Sequence, residues 1–393
     1  MLVPVRLLQA AHLTVKPAVL VAMASSTAVF TATPFLLRPV AREFGITVGA
    51  AGWISTAQLA GFVIASWSAG RFLRPVRRVF VLIGALGLVA NLLSAIAPSL
   101  LLLGGARFVS GVSLGLAAWF GWQDAFGDAG KTGDVAVVGP LVGVVLAPAV
   151  ASTVDLLGLR GLFLVLAVVA ASPLLFVRQI PTVDRLRPHT TRHTPTRAAQ
   201  LVLVALGMIT LAGSSVFVYA AAIGTDLVGL STIVVSLVFS ANALASIPAA
   251  KWPGRRGPPG MWFFGTAVLA LLLPTVHTRP VFVGALVGWG FIFFMGIPAA
   301  FGLLASRSEF PEERAGDAQA VMAAGRVFGP LMGGAFLSAG ETLAMGLAAM
   351  GIMTFASALL LYADIGLSPT RRSTRRLPVA ETSSNAPDSM AGR

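Results

Sequence analysis

The chain has 393 residues, 56% of them hydrophobic and only 11% charged, with a mean hydropathy of +0.86. Soluble domains carry about 25% charged residues, so a water-soluble fold is excluded. The absence of Cys excludes disulfides and cysteine-ligated metals, and the net charge of +13, carried by 25 Arg and 3 Lys, suggests nucleic acid only until its positions are read.

A bilayer-spanning helix needs roughly 20 mainly apolar residues. That ruler gives twelve candidates, near 17–37, 48–69, 79–98, 100–122, 135–154 and 159–178, then 199–222, 227–250, 260–276, 280–305, 317–338 and 342–363. The first is too long for a signal-peptide apolar region and is kept as a span. With loops assigned alternately from a cytoplasmic N-terminus, 22 of the 28 basic residues fall on the cytoplasmic side. This positive-inside pattern predicts a multi-pass protein of the cell membrane with both termini cytoplasmic. The basic charge is topological, and no nucleic-acid partner is expected.

The predicted organisation is an all-α integral membrane protein of two six-helix bundles, 1–178 and 199–364. A cytoplasmic linker (179–198) rich in Pro, Thr and Arg joins them, and a disordered tail (365–393) follows. The linker's His189 and His193 have metal-like spacing only in a helix, which Pro188 and Pro195 oppose. No nucleotide-binding loop, metal cluster or Ser/His/Asp arrangement is present, so no cofactor and no enzymatic role is expected.

In chain order, Gln58 and Asn91 are polar residues at span depth, each either lining a cavity or bonding a neighbouring helix. Gly70, Arg74, Arg77 and Arg78 form the turn after the second span. Arg107 sits about seven residues into LLLLGGARFVSGVSLGLAAWFGW, too deep to reach water easily. An intramembrane arginine is a functional hypothesis: it faces a central cavity, or it donates to carbonyls between helices. Trp119 marks the interface or stacks substrate, and Gln123 with Asp124 closes the fourth span. Gly139, Pro140, Gly143 and Pro148 make the fifth span a candidate hinge, because Pro removes a backbone donor and Gly permits close approach. In the second half Tyr219, Asn242 and Trp289 are candidate cavity residues, Asn242 alternatively only bonding another helix. Arg326 is expected either to pair with Asp317, Glu309, Glu312 or Glu313 or to touch substrate. Gly329, Pro330 and Gly333 repeat the Gly-Pro-x-x-Gly pattern six spans later, as a parallel repeat would.

Taken in order, these motifs resemble the major facilitator superfamily over residues 15–364. EFGITVGAAGWISTAQLAGFVIASWSAGRFLRPVRR is similar to that family's stretch from the first external loop through the second span. Arg74 stands where the family usually has Asp, and Arg77 where it usually has Gly. Arg107-x-x-Ser110-Gly111 resembles the fourth-span motif associated with proton coupling, Gly139-Pro140 with Gly143 the fifth-span motif of the antiporter branch, and LGLRGLFLVLAV (157–168) the entry to the sixth span. The resemblance implies a monomeric secondary transporter that exports a small organic molecule, a drug or metabolite, against protons by alternating access. It gives Arg107 a coupling role; beside it, Asp124 is the nearest in-chain acid a fourth-span proton relay could use or an ordinary helix-end carboxylate, and Arg326 is a further transport candidate. The first span lacks the acidic residue of many drug exporters, which leaves open an importer or facilitator of organic solutes, or a non-transporting sensor or scaffold.

Overall fold

The computed structural model describes residues 15–125, 129–180, 193–252 and 254–365; side-chain placement at 70, 71, 123–125, 129–134, 136, 312 and 315 lies outside that description. The described residues form eleven long helices and no strand. They are α1 (Pro17–Phe44), α2 (Trp53–Phe72), α3 (Arg77–Ala95), α4 (Leu100–Ala125), α5 (Ala129–Ala171), α6 (Arg197–Phe217), α7 (Thr232–Ala250), α8 (Pro259–Thr275), α9 (Arg279–Ser306), α10 (Pro311–Ser338) and α11 (Thr342–Ile365). Helices are what apolar runs must become in hydrocarbon, where every backbone donor and acceptor has to be satisfied within its own segment. Ten helical stretches are long and apolar enough to cross a membrane, and Pro259–Thr275 is a shorter apolar helix of 17 residues. The surface fits that setting: Leu156 and Val168 stand 82% and 72% exposed, while Ala and Ser residues fill much of the interior.

The count differs from the twelve expected spans because α5, 43 residues long, holds two helices that meet at a kink with no intervening loop. A straight helix of that length would run about 65 Å, twice the hydrocarbon thickness. The chain instead breaks at Gly158, whose φ of 67° and ψ of −171° are open to glycine and strained for other residues. Beyond it, Phe163 lies against Arg107, Ala170 against Gly87 and Leu174 against Gly84. Those contacts run backwards along α3, so the second part of α5 returns towards the side from which the first part came. Arg160 then meets Glu43 at 3.6 Å, at the end of α1.

Two ends of the helix array can now be distinguished. The near end carries both chain ends of the described region: Ala18 N–H donates to Gln179 Oε1 (3.1 Å), and Arg77 Nε donates to the Ile180 carbonyl (3.1 Å). At the same end, the Thr196 hydroxyl donates to the Arg307 carbonyl (2.6 Å), and Arg307 donates to that of Asp364. The far end carries Phe44, the start of α2 and the Gly158 break. Helix starts are capped where the sequence offers a hydroxyl: Thr196 accepts from Ala199 N–H, and Ser231 from Val234 N–H.

Helices before 180 pack chiefly on one another, as do those after 193, and two seams join the sets: α5 with α7, and α2 with α10. In the first seam the Ser240 hydroxyl donates to the Val144 carbonyl (2.7 Å); in the second, the Thr56 hydroxyl donates to the Val327 carbonyl (3.1 Å). The two Gly-Pro motifs that match in sequence differ in packing. A Cβ at Gly329 would sit 1.9 Å from Ser214 Oγ and 2.5 Å from the Leu211 carbonyl oxygen, whereas one at Gly139 would meet nothing within 4 Å. Close α6–α10 approach therefore depends on Gly329. Gly329→Ala is expected to lower thermal stability in detergent by about 1–3 kcal/mol through overpacking, while Gly139→Ala leaves the melting temperature unchanged or raised.

Candidate functional site

The far end of the array is fastened across the two sets of helices. After Phe217 the α6 helix loosens, resumes over Ala220–Ala222 and widens into a π-helical turn at Ile223–Leu227. Such wide turns are uncommon and re-aim side chains. Here the turn carries Asp226 to Arg38 of α1, 2.8 Å away. The Thr47 and Ser338 hydroxyls bond at 2.9 Å. The fully buried Tyr219 hydroxyl donates towards the Pro330 carbonyl (2.7 Å) and that of Gly49 (3.2 Å), with no room at Gly52 or Gly334 for a larger residue. Tyr219 therefore closes the far end, without lining an open cavity.

Arg107 is fully enclosed in the first set of helices. Its Nη1 donates to Asn91 Oδ1 (3.1 Å), its Nη2 donates to the Ser110 hydroxyl, and its guanidinium carbon lies 5.3 Å from the Phe163 ring centre. Asn91 is oriented by its own donation to the Gly87 carbonyl (2.8 Å). The cation is thus surrounded by neutral oxygens and an aromatic face, and Nε has no acceptor. All these partners precede residue 180, and no carboxylate pairs with Arg107 among the described residues.

Arg326 is placed differently. It is half-buried, and among the described residues it makes no hydrogen bond or ion pair. Two of the four expected carboxylates serve another arginine: Arg314 donates to Glu313 Oε2 (2.5 Å), Asp317 Oδ2 (2.7 Å) and the His193 carbonyl (2.6 Å), while the Glu312 side chain lies outside the described placements. Phe328 and Leu331 form the exposed face of α10. Gly325, Gly329 and Gly333 face α6, while Gly334 faces Gly49 and the Val327 carbonyl accepts from Thr56, on the α2 side. Arg326 lies between those two arcs, turned away from the lipid-facing side and into the seam. On α2, Ser55 adjoins Thr56 and lies on the side of the helix opposite the exposed Ile64, and its Oγ is buried without a partner. Gln58, whose backbone packs on Gly111 of α4, has Nε2 buried without a partner inside the first set of helices. Buried polar atoms are nearly always satisfied, so Ser55 marks the α2 side of the seam as a place for a polar ligand or water. The sequence reading missed Ser55, one serine among many in apolar helices.

The other expected residues divide. Asn242 donates to the Leu286 carbonyl (2.6 Å), a helix-to-helix bond. Trp289 is buried with its ring centre 5.8 Å from that of Phe217, which lies 5.4 Å from Phe239, itself 5.2 Å from Phe35 of α1. This aromatic row leads from the second set of helices to the first. Trp119 is buried beside Phe120 in a separate near-end core, with Nε1 unpartnered. Gly143 faces Ala243 of α7, Pro140 is buried and Pro148 half-buried. Arg74 and Arg78 are exposed, and Arg77 anchors the α2–α3 turn to Ile180. Gly70, Gln123 and Asp124, most of the linker and the tail beyond Ile365 lie outside the described placements. Among the described residues no cluster of metal-ligating side chains occurs.

A family model described as the Major Facilitator Superfamily matches residues 18–334. The fold is similar to the crystal structure of the human organic anion transporter MFSD10 (TETRAN), with 14% identity, a TM-score of 0.65, and coverage of 87% of this chain and 97% of that one. It is likewise similar to a bacterial homolog of the human lysosomal transporter Spinster, solved in an inward-facing and occupied conformation. There the identity is 12% and the TM-score 0.66, over 89% of this chain and 97% of that one. No curated protein matches in sequence.

The two arginines predict opposite effects of removing charge. Arg107→Met strands the Asn91 and Ser110 oxygens and is expected to lower stability by about 1–3 kcal/mol. Arg326→Met removes an uncompensated charge and leaves stability unchanged or raised; thermal melts of both variants in detergent decide this. At the near end, hydrogen bonds from the His193 side chain and backbone hold the Glu313 carboxyl below the usual carboxylate range. Because the folded value is depressed, this attachment is complete above the unfolded pKa of about 4.3 and is lost as pH falls through the lower folded value. Hydrogen exchange at residues 193–196 should stay protected at pH 5 and open only in stronger acid.

Proposed function

Because the chain belongs to the Major Facilitator Superfamily, we propose that it exports a small organic molecule across the cytoplasmic membrane by alternating access, with protons as the counter-ion. The reading takes the chain as a monomer with both termini cytoplasmic. It has two six-helix bundles, about 1–178 and 199–364, and twelve crossings, α5 supplying two by turning back at Gly158. The observation that carries it is the arrangement of the seams: the bundles are clasped at the far end through Arg38–Asp226, Thr47–Ser338 and Tyr219, around an unpaired cation and an unsatisfied hydroxyl at mid-depth. A clasp at one end of a polar interface is what a rocking pair of bundles opens and closes. The Gly-Pro motif of α5 supports the export direction, through its likeness to the antiporter branch.

One observation favours a second reading, uptake or facilitated movement without protons. The carboxylates with described side chains, such as Glu43, Asp226, Glu313 and Asp364, sit at helix ends, and the described charges deep in the spans are arginines. A proton carrier at the midplane is therefore not among them.

Everted vesicles containing the protein and energised to an acidic interior separate the readings. Under antiport, a transported compound raises lumenal pH in a dose-dependent way. No pH response from a panel of antibiotics, dyes and organic anions, together with measured uptake of any of them, establishes uncoupled movement instead. The far-end clasp gives a further check in this Cys-free chain. With a cysteine at Ser55, Arg38→Gln is expected to speed labelling by an impermeant maleimide applied from the Arg38 side by several-fold, while unchanged labelling would count against the clasp.

A further inference from the structure

We propose that Arg326 is the anchoring cation for an anionic group on the transported solute, with the Ser55 hydroxyl of the facing α2 wall as a second donor. This deepens the transport reading and rests on it. The argument is one of elimination among charges followed by placement. A cation inside hydrocarbon is costly unless paired or bonded. Arg107 meets that cost with Asn91, Ser110 and Phe163, all within the first set of helices, so its surroundings are complete without a solute. Arg326 has no such partners among the described residues and is half-buried in the seam. The nearest acid on its own helix, Asp317, is nine residues away, about 13 Å along the axis, and is held by Arg314.

The α2 wall supplies the second observation. Ser55 is 1% exposed and its hydroxyl oxygen has no partner. It adjoins Thr56, whose hydroxyl donates to the carbonyl of Val327, the residue next to Arg326. The seam therefore holds a fixed positive charge on one bundle and an unpartnered hydroxyl on the facing helix of the other. A carboxylate, sulfonate or phosphate oxygen is the complement of that charge, and a fork-shaped guanidinium binds such groups with two bonds. A cationic solute is repelled by it and a purely apolar one leaves it unsatisfied. Because the seam is formed by both bundles, an anion held there would sit where they open and close.

The test uses the full chain in phosphatidylcholine nanodiscs, with fluorescein, benzoate and 1-naphthalenesulfonate as anionic probes, and benzamide and ethidium as neutral and cationic controls. Fluorescein polarisation, with displacement by the others, is expected to show binding of the anions alone. Arg326→Gln should weaken it at least about tenfold, the loss of one charge-assisted interaction, and Arg326→Lys should recover part of it. The wild type gives an answer that needs no variant: phenylglyoxal should modify Arg326 but not the enclosed Arg107. Fluorescein at ten times its dissociation constant should slow that modification about tenfold. Equal affinity in Arg326→Gln, no protection by fluorescein, or failure of all three anions to bind would each overturn the proposal. Adding phosphatidylglycerol distinguishes the source of the anion: competition with fluorescein identifies a lipid headgroup, and its absence identifies a soluble solute. Flux of benzamide or ethidium in proteoliposomes without anion binding would sink the anion proposal and leave the transport reading standing. Charge-dependent anion binding without flux of any probe would do the reverse.

Discussion

Helices in a bilayer gain little from hiding apolar surface, since the lipid is as apolar as their neighbours. What brings them together here is backbone approach and a few hydrogen bonds between side chains and carbonyls. Gly329 and Gly333 seat α10 on α6, and Thr56, Ser240 and Tyr219 each donate to a carbonyl of another helix. Those three bonds end on main-chain oxygens and so do not specify a partner side chain; only the far-end pairs Arg38–Asp226 and Thr47–Ser338 do. A carbonyl in a helix keeps one lone pair free after its own helical bond, and a hydroxyl that leaves it for another carbonyl loses little. Seams built this way hold two bundles together without making one arrangement much deeper than another.

The two deep arginines show two ways of tolerating charge in hydrocarbon. Arg107 is dissolved in the protein: an amide oxygen, a hydroxyl and an aromatic face replace the water shell, and the side chain becomes part of the bundle's interior. Arg326 is half-buried in the seam and has no partner among the described residues. Near the membrane surface, Arg314 follows a third pattern, gathering Glu313, Asp317 and the His193 carbonyl and tying the start of the second half to α10.

The helical spans, the repeated Gly-Pro pattern and the presence of two intramembrane arginines were legible in the sequence, because apolar run length and isolated charges are one-dimensional signals. The environments were not. Arg107 and Arg326 look alike along the chain, and only the third dimension brings Asn91 and Phe163 to one and leaves the other without a partner among the described residues. Proximity in sequence suggested that Asp317 or Glu313 would pair with Arg326. Arg314, three residues from Asp317 and adjacent to Glu313, takes both at much shorter reach. The break inside α5 was placed as a loop between two spans, since nothing in LGLRG foretells that helical hydrogen bonding persists on both sides of a single reversed glycine. A polar group at depth serves a ligand or a neighbouring helix, and sequence does not choose: Asn242 takes the helix-to-helix alternative, and Tyr219, a candidate cavity residue, also bonds to backbone.

The seam position of Arg326 has an electrical consequence. A full elementary charge crossing the membrane field does about 2.3 kcal/mol of work per 100 mV, and a bare guanidinium in an interface that shifts between two exposures crosses part of it. If the bundles rock as proposed, an empty seam carries a net positive charge through that reorientation, and a negative-inside potential biases the resting population towards the state in which Arg326 lies electrically closer to the cytoplasm. Any counter-charge seated beside it cancels that bias. The same side chain then makes the empty return step sensitive to voltage and the loaded step nearly indifferent to it.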